Sequence, residues 1–173
     1  SHPNLLGVLG LATDGLRNYG TLMEYLPRSL ARVLARAESN AETANKVKAV
    51  WLSMMTDIAK ATAYLHGEKV YHYSLHPRNV LFDGFMTVKL ADFGRSPATM
   101  ARLLNDEDNE VPTGEPRQLY IAPELLRLES YTAAADVWSL GCLMARITSL
   151  KNLYAQDSAD GIAMSHHAIL MRV

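Results

Sequence analysis

Short apolar runs predict two pairs of β-strands. Residues 4–11 and 20–26 are apolar runs separated by a turn-rich stretch at 13–18. Residues 80–82 and 88–90 form a second pair around a turn that contains Gly84. We therefore expect two antiparallel hairpins.

Two longer patterns predict helices. From residue 45, apolar side chains recur at steps of three and four residues until Gly67, which is typical of the end of an amphipathic helix. Residues 136–149 are apolar on nearly every face, and a helix that is apolar all round is usually buried. We expect this second helix to lie at the centre of the fold.

Three segments lack strong periodicity. Residues 71–79 read as a loop that contains Pro77, and residues 92–123 as a long loop with a short helical turn at 100–104 and an acidic run at 106–110. The acidic run is best interpreted as a solvated charge run. The tail from 154 carries a weak helical pattern.

Composition narrows the function classes. The 173 residues are 49% apolar, enough for one domain or most of one. Seventeen basic and eighteen acidic side chains give a net charge of -1, so no global field favours nucleic acid. No apolar stretch approaches the roughly 18 to 20 residues that span a bilayer. The single cysteine, Cys142, fits a reduced, cytoplasmic setting.

Four motifs occur in a fixed order. They are His72-Tyr-Ser-Leu-His-Pro-Arg-Asn79, Ala91-Asp-Phe-Gly94, Ala122-Pro-Glu124 and Asp136-Val-Trp-Ser-Leu-Gly141. Each motif alone is weak, but the ordered set resembles the catalytic loop, metal-binding motif, activation-segment end and central helix of protein kinases.

The resemblance implies an α+β fold that is mostly helical. Residues 1–26 would form the last strands and hinge of the N-terminal lobe, and residues 27–173 part of the C-terminal lobe. The family's glycine-rich loop and strand lysine would precede His2, and the sequence starts without a methionine. We expect a fragment that is marginally stable alone and prone to associate.

The catalytic loop departs from the family pattern. Ser74 stands where the family has the aspartate that accepts the substrate hydroxyl's proton. His76 replaces a lysine that steadies the transferring phosphate, and Tyr73 replaces an arginine that pairs with a phosphorylated activation loop. Asn79 and Asp92 match the two magnesium-ligand positions, although Asn79 could equally serve the loop's backbone and Asp92 a turn.

The resemblance also implies a nucleotide site. Met23 would be the gatekeeper, the backbones of Glu24 and Leu26 would face adenine, and Leu81 would lie beneath it, with ATP and Mg²⁺ bound in an intact parent domain. An ordinary strand edge and core leucine are the alternative.

Histidines and a second aspartate complete the candidate residues. His66, His72 and His76 invite a zinc hypothesis, but Pro77 breaks their spacing and no acidic cluster completes a shell. By resemblance, Asp136 should accept hydrogen bonds from the backbone at His72 and Tyr73.

Three functions remain open. The reading we favour is a pseudokinase that acts as a scaffold or allosteric regulator of a protein partner, because a serine hydroxyl is a poor general base. An active serine/threonine or tyrosine kinase with a substitute carboxylate, and a nonfunctional gene fragment, are the alternatives.

Overall fold

The computed structural model describes residues 1–15, 18–94, 117–127, 129, 131–151 and 153. Helices dominate, with two small antiparallel sheets. The elements in chain order are β1 (Val8–Thr13), β2 (Tyr19–Met23), β3 (Arg28–Ser29), α1 (Leu30–Ser39), α2 (Ala41–Gly67), β4 (Val80–Phe82), β5 (Val88–Leu90), a 3-10 turn (Arg117–Tyr120), α3 (Pro123–Leu126) and α4 (Ala134–Ser149). The predicted α+β, mostly helical kinase-like fold is confirmed.

Side-chain caps set where the first two helices begin. Asn40 accepts a hydrogen bond from the Thr43 N–H at 2.8 Å, so α2 begins at Ala41, four residues before the apolar pattern predicts. Ser29 caps α1 in the same way. Helix α1 was not predicted, although its buried residues Leu30, Leu34 and Ala37 follow helical spacing.

Helix α2 packs against α1 and α4 to form the core. Ile58 of α2 and Leu143 and Ile147 of α4 are fully buried. The buried Arg146 of α4 forms an ion pair with Glu38 of α1, which also joins those two helices. The core of the described residues therefore lies between these helices and extends to the buried side chains of β4 and β5.

One face of α4 departs from the prediction. Val137 is 60% exposed and Met144 is 48% exposed, so the expectation that this helix is buried all round is wrong. Helix α4 packs mainly against α2 and the 3-10 turn, and Arg146 also joins it to α1. These neighbours cover one side of the helix and leave the other to solvent.

The second sheet joins the start of the chain to its middle. Strands β4 and β5 pair over the residues predicted, and β3 extends the sheet beside β4. The Leu6 N–H donates to the Leu90 carbonyl and the Leu90 N–H to the Asn4 carbonyl, both at 2.8 Å. Because residues 4–6 bond to β5, β1 begins at Val8 and not at the predicted residue 4.

The first sheet is a two-stranded hairpin with little cover. Strands β1 and β2 are antiparallel, as predicted, with an irregularity in register between Val8 and Gly10. Apolar side chains are exposed along both strands and just beyond them: Val8, Leu9, Leu11, Tyr19, Leu22, Met23 and Tyr25. An isolated two-stranded hairpin is marginal in water, so this sheet is the least supported element.

Several predicted features lie outside the described residues: the helical turn at 100–104, the acidic run at 106–110 and the tail pattern at 162–171. Across the described ranges, the helices are too short or too polar to cross a membrane.

The exposed hairpin generates a stability prediction. Leu11 is 80% exposed, so Leu11→Lys should change the free energy of unfolding by no more than about 0.5 kcal/mol and should reduce self-association. Leu90 is fully buried, and Leu90→Ala should cost about 2–5 kcal/mol. Denaturant unfolding and sedimentation at several concentrations measure both effects. Equal costs for the two variants would show that the hairpin face is covered in solution.

Candidate active site

The loop at residues 71–79 is the centre of the candidate site. It follows the end of α2 and leads directly into β4. Its polar members His72, Ser74 and His76 are buried, as is Tyr73. A buried loop must satisfy its backbone groups from neighbouring elements, so its hydrogen bonds define its shape.

Asp136 of α4 holds this loop. Its Oδ2 accepts the His72 N–H at 2.8 Å and its Oδ1 accepts the Tyr73 N–H at 2.7 Å. The Asp136 carboxylate is fully buried, so these bonds compensate for its lost hydration. The hydrogen bonds predicted for Asp136 are confirmed.

Tyr73 shows why this anchor matters. Its backbone φ is +57°, which lies in the left-handed region that residues other than glycine rarely adopt. Such a conformation costs of order 1–3 kcal/mol and persists only where the surroundings fix it. The two hydrogen bonds to Asp136 hold the backbone immediately before the Tyr73 Cα and supply part of that constraint.

His66 completes the anchor. The His66 Nε2 lies 2.8 Å from Asp136 Oδ2, which brings the last turn of α2 onto the same carboxylate. The sequence pattern gave no sign of this contact, because His66 and Asp136 are 70 residues apart. The carboxylate therefore joins α2, α4 and the loop.

Ser74 is buried and is hydrogen-bonded to Asn79. The Asn79 amide Nδ2 donates to the Ser74 carbonyl at 2.9 Å and lies 3.5 Å from Ser74 Oγ. The Asn79 amide nitrogen therefore hydrogen-bonds to the loop's own backbone. This is the structural role that the sequence left open. Its Oδ1 remains the atom with which it could ligate a metal.

The His76 ring hydrogen-bonds to the backbone of the loop. Its Nδ1 accepts the Arg78 N–H at 3.3 Å, so the proton of the neutral ring belongs on Nε2. In this form Nε2 is a donor. The accepting nitrogen of the His76 ring is therefore already occupied.

Asp92 directly follows Ala91, whose backbone hydrogen-bonds to Asn79. The Ala91 N–H donates to the Asn79 carbonyl at 2.9 Å, which places Asp92 directly after that contact. Asp92 is exposed and has a φ of +62°. The strained backbone at Asp92 is of the kind often found at functional sites.

The predicted hinge is fixed by Glu24. Its Oε1 accepts the Gly7 N–H at 2.7 Å and lies 3.5 Å from Lys89 Nζ on β5. A Cβ at Gly7 would lie 3.2 Å from that oxygen, so glycine permits the close approach. Lys89 pairs across the sheet with Leu81, which links the hinge to the predicted floor of the nucleotide site.

The other predicted nucleotide contacts lie around this link. Met23 ends β2 and is 48% exposed, and Leu26 and Leu81 are each half-buried. The roles of Met23, Glu24, Leu26 and Leu81 toward adenine stay predictions.

Asn79 and Asp92 are suited to binding Mg²⁺ only when a nucleotide is bound as well. Mg²⁺ prefers oxygen ligands and is commonly held by one or two carboxylates plus substrate phosphates. Asn79 Oδ1 and the Asp92 carboxylate supply oxygens of this kind. Within the described ranges, His, Cys, Asp and Glu side chains form no group of three that could hold a metal by themselves.

Arg78 at the end of the loop and Arg117 of the 3-10 turn add positive charge to the site. Burial lowers the pKa of the Arg78 guanidinium, and repulsion from Arg117 lowers it further. Arg117 begins the 3-10 turn, which Ser139 anchors by donating to the Tyr120 carbonyl at 2.6 Å. The interaction between Arg78 and Arg117 was not predicted, because the two residues are far apart in the sequence.

The proteins and the family model that this chain matches all belong to one family. Residues 1–172 match the model of the protein kinase domain. The chain is 32% identical over 149 residues to tyrosine-protein kinase csk-1 of Caenorhabditis elegans, covering 86% of this chain and 26% of that protein. It is 30% identical over 175 residues to serine/threonine-protein kinase 12 of Arabidopsis thaliana, covering 97% and 36%.

A third relative is serine/threonine-protein kinase Nek2 of Homo sapiens, 34% identical over 117 residues, which cover 65% of this chain and 25% of that protein. The chain thus spans about a quarter to a third of the length of these relatives. Their names include tyrosine and serine/threonine kinases, so similarity selects neither substrate class.

The Asp136 anchor generates a prediction. Asp136→Asn replaces one acceptor by a donor and leaves a buried N–H without a partner, so it should cost about 1–3 kcal/mol or more of unfolding free energy. Asp83 accepts the Phe85 and Thr87 N–H groups at a turn, and Asp83→Asn is the matched control. Denaturant titration compares them. An Asp136→Asn cost no larger than the control would contradict the anchor.

Tyr73 generates a pH prediction. Burial, followed by the nearby Asp136 charge, raises the pKa of the Tyr73 phenol above its ordinary 10.0. The folded chain then keeps a proton that the unfolded chain releases. This contribution to stability is complete below about pH 10 and is lost as the pH rises.

Tyr73→Phe should therefore reduce the fall in stability above pH 10, measured by urea unfolding at stepped pH. Tyr19→Phe is the control, since Tyr19 is 79% exposed and should keep the wild-type dependence. A Tyr73→Phe profile that matches wild type would show that the phenol titrates alike in both states.

Proposed function

Because the chain belongs to the protein kinase family, we propose that it is a pseudokinase that acts as a scaffold or allosteric regulator of a protein partner. The observation that carries this proposal is the environment of Ser74. A neutral, buried hydroxyl stands at the position of the family's catalytic base, and the surrounding loop is nonetheless firmly held.

Loss of the base is chemically severe. A positioned general base contributes typically 10²- to 10⁴-fold to a rate, and a serine hydroxyl needs another base before it can accept a proton. Two neighbours are poor substitutes. Asp136 directs both oxygens at backbone N–H groups, and His76 Nδ1 already accepts a hydrogen bond.

Nucleotide binding is a separate part of the proposal. Asn79 Oδ1 and the Asp92 carboxylate would hold Mg²⁺. Bound Mg²⁺ would neutralise phosphate charge. The residues around the hinge would contact adenine through Glu24 and Leu26, and the Glu24 bonds to Gly7 and Lys89 would keep that backbone in place.

A protein partner is favoured by the distribution of apolar surface. The β1–β2 hairpin exposes large apolar side chains, including Leu9 at 73% and Leu11 at 80%. Clustered exposed apolar residues commonly mark protein interaction sites. Regulation through binding needs such a surface and does not need a catalytic base.

The function is tested by phosphoryl transfer in the full-length protein that contains this sequence. With Mg²⁺ and radiolabelled ATP, the wild type should incorporate no more label than an Asp92→Ala variant. Ser74→Asp should raise incorporation above that baseline if the loop is otherwise competent. Label incorporation by the wild type that Asp92→Ala removes would show an active kinase and refute the pseudokinase.

A further inference from the structure

Four aromatic rings form a continuous row beside the loop. The His66 and Tyr71 rings lie 5.6 Å apart with an edge-on arrangement, and the Tyr71 and Tyr73 rings are also 5.6 Å apart. The row ends at Tyr131, whose ring meets that of Tyr73 at 5.6 Å and 85°. This row connects α2, the loop and the segment that precedes α4.

The last contact differs from the others because of where Tyr131 sits. It lies five residues before Asp136, in the short stretch that leads into α4. Asp136 holds the backbone of Tyr73 and Tyr131 holds its ring. One stretch of chain, residues 131–136, therefore contacts Tyr73 in two independent ways.

The Tyr73 and Tyr131 rings pack in a favourable arrangement. Two aromatic rings at this separation and angle have the edge-to-face geometry that their quadrupoles favour. The Tyr73 ring is 5% exposed, so the contact is largely shielded from water. The Tyr73 phenol is neutral at physiological pH, and burial raises its pKa further above that range. The contact therefore requires no charged partner.

We propose that Tyr131 is a positioning residue that clasps the Tyr73 ring, so that the segment in front of α4 controls the conformation of the loop that carries Ser74. We call this pair the tyrosine clasp. The proposal concerns loop conformation and holds whether or not the protein transfers phosphate.

Hydrogen exchange in the whole 173-residue chain tests the tyrosine clasp. Tyr131→Leu keeps an apolar side chain but removes the ring, and it should speed exchange of the His72 and Tyr73 amides by roughly 2- to 12-fold. Tyr131→Phe keeps the ring and should leave these rates at the wild-type level. Tyr25→Leu, at a side chain that is 86% exposed, is the matched control.

The Leu90 amide, which donates to the Asn4 carbonyl in the buried sheet, is the internal reference. If Tyr131→Leu speeds exchange at Leu90 as much as at Tyr73, the ring only supports global stability and the proposal fails. The proposal also fails if Tyr131→Phe matches Tyr131→Leu, since the hydroxyl would then be the essential group.

A second measurement does not depend on any variant folding. In the unmodified chain, nuclear Overhauser effects should connect the Tyr131 and Tyr73 ring protons. Their absence in a folded sample would overturn the tyrosine clasp.

A double-mutant cycle tests whether the two rings act together. Tyr73→Leu combined with Tyr131→Leu should lower the free energy of unfolding by less than the sum of the single changes. Additive effects would likewise show that the rings act separately.

Discussion

The buried carboxylate of Asp136 is the interaction on which the described fold around the candidate site depends. It accepts the backbone N–H groups of His72 and Tyr73 and contacts His66. The end of α2, the start of the loop and the first turn of α4 meet at this one group. A fully buried charge is costly unless it is compensated, and here the compensation fixes a left-handed residue that carries the loop into the site.

Strand β5 organises the other side of the site. Leu90 bonds residues 4–6 of the chain, Lys89 reaches the hinge glutamate Glu24, and Ala91 bonds Asn79 at the end of the loop. Three segments that are far apart in sequence are thus held by three consecutive residues, 89–91. The loop and the predicted hinge are both attached to residues 89–91, which fixes their placement relative to each other.

Local patterns gave much of the fold correctly. The β4–β5 hairpin and the main body of α2 were predicted from a turn and a regular spacing, and the Asp136 hydrogen bonds were expected from the resemblance to protein kinases. The start of β1 was wrong because residues 4–6 bond to β5, which lies more than 80 residues later. The burial of α4 was wrong because apolar composition shows which helix can be buried and not which neighbours cover it.

The site residues followed the same division. Ser74, Asn79 and Asp92 could be named from their motifs, but the Asn79 bond to Ser74, the Glu24 bond to Gly7 and the approach of Tyr131 to Tyr73 depend on tertiary packing. No periodicity encodes such contacts.

The most direct test of this account is a scalar coupling measured by nuclear magnetic resonance across the hydrogen bonds to Asp136. The account predicts that the backbone nitrogens of His72 and Tyr73 each correlate with the Asp136 carboxylate carbon, and that both amides are protected from exchange. Amides that exchange as fast as an exposed loop and show no such correlation would contradict it.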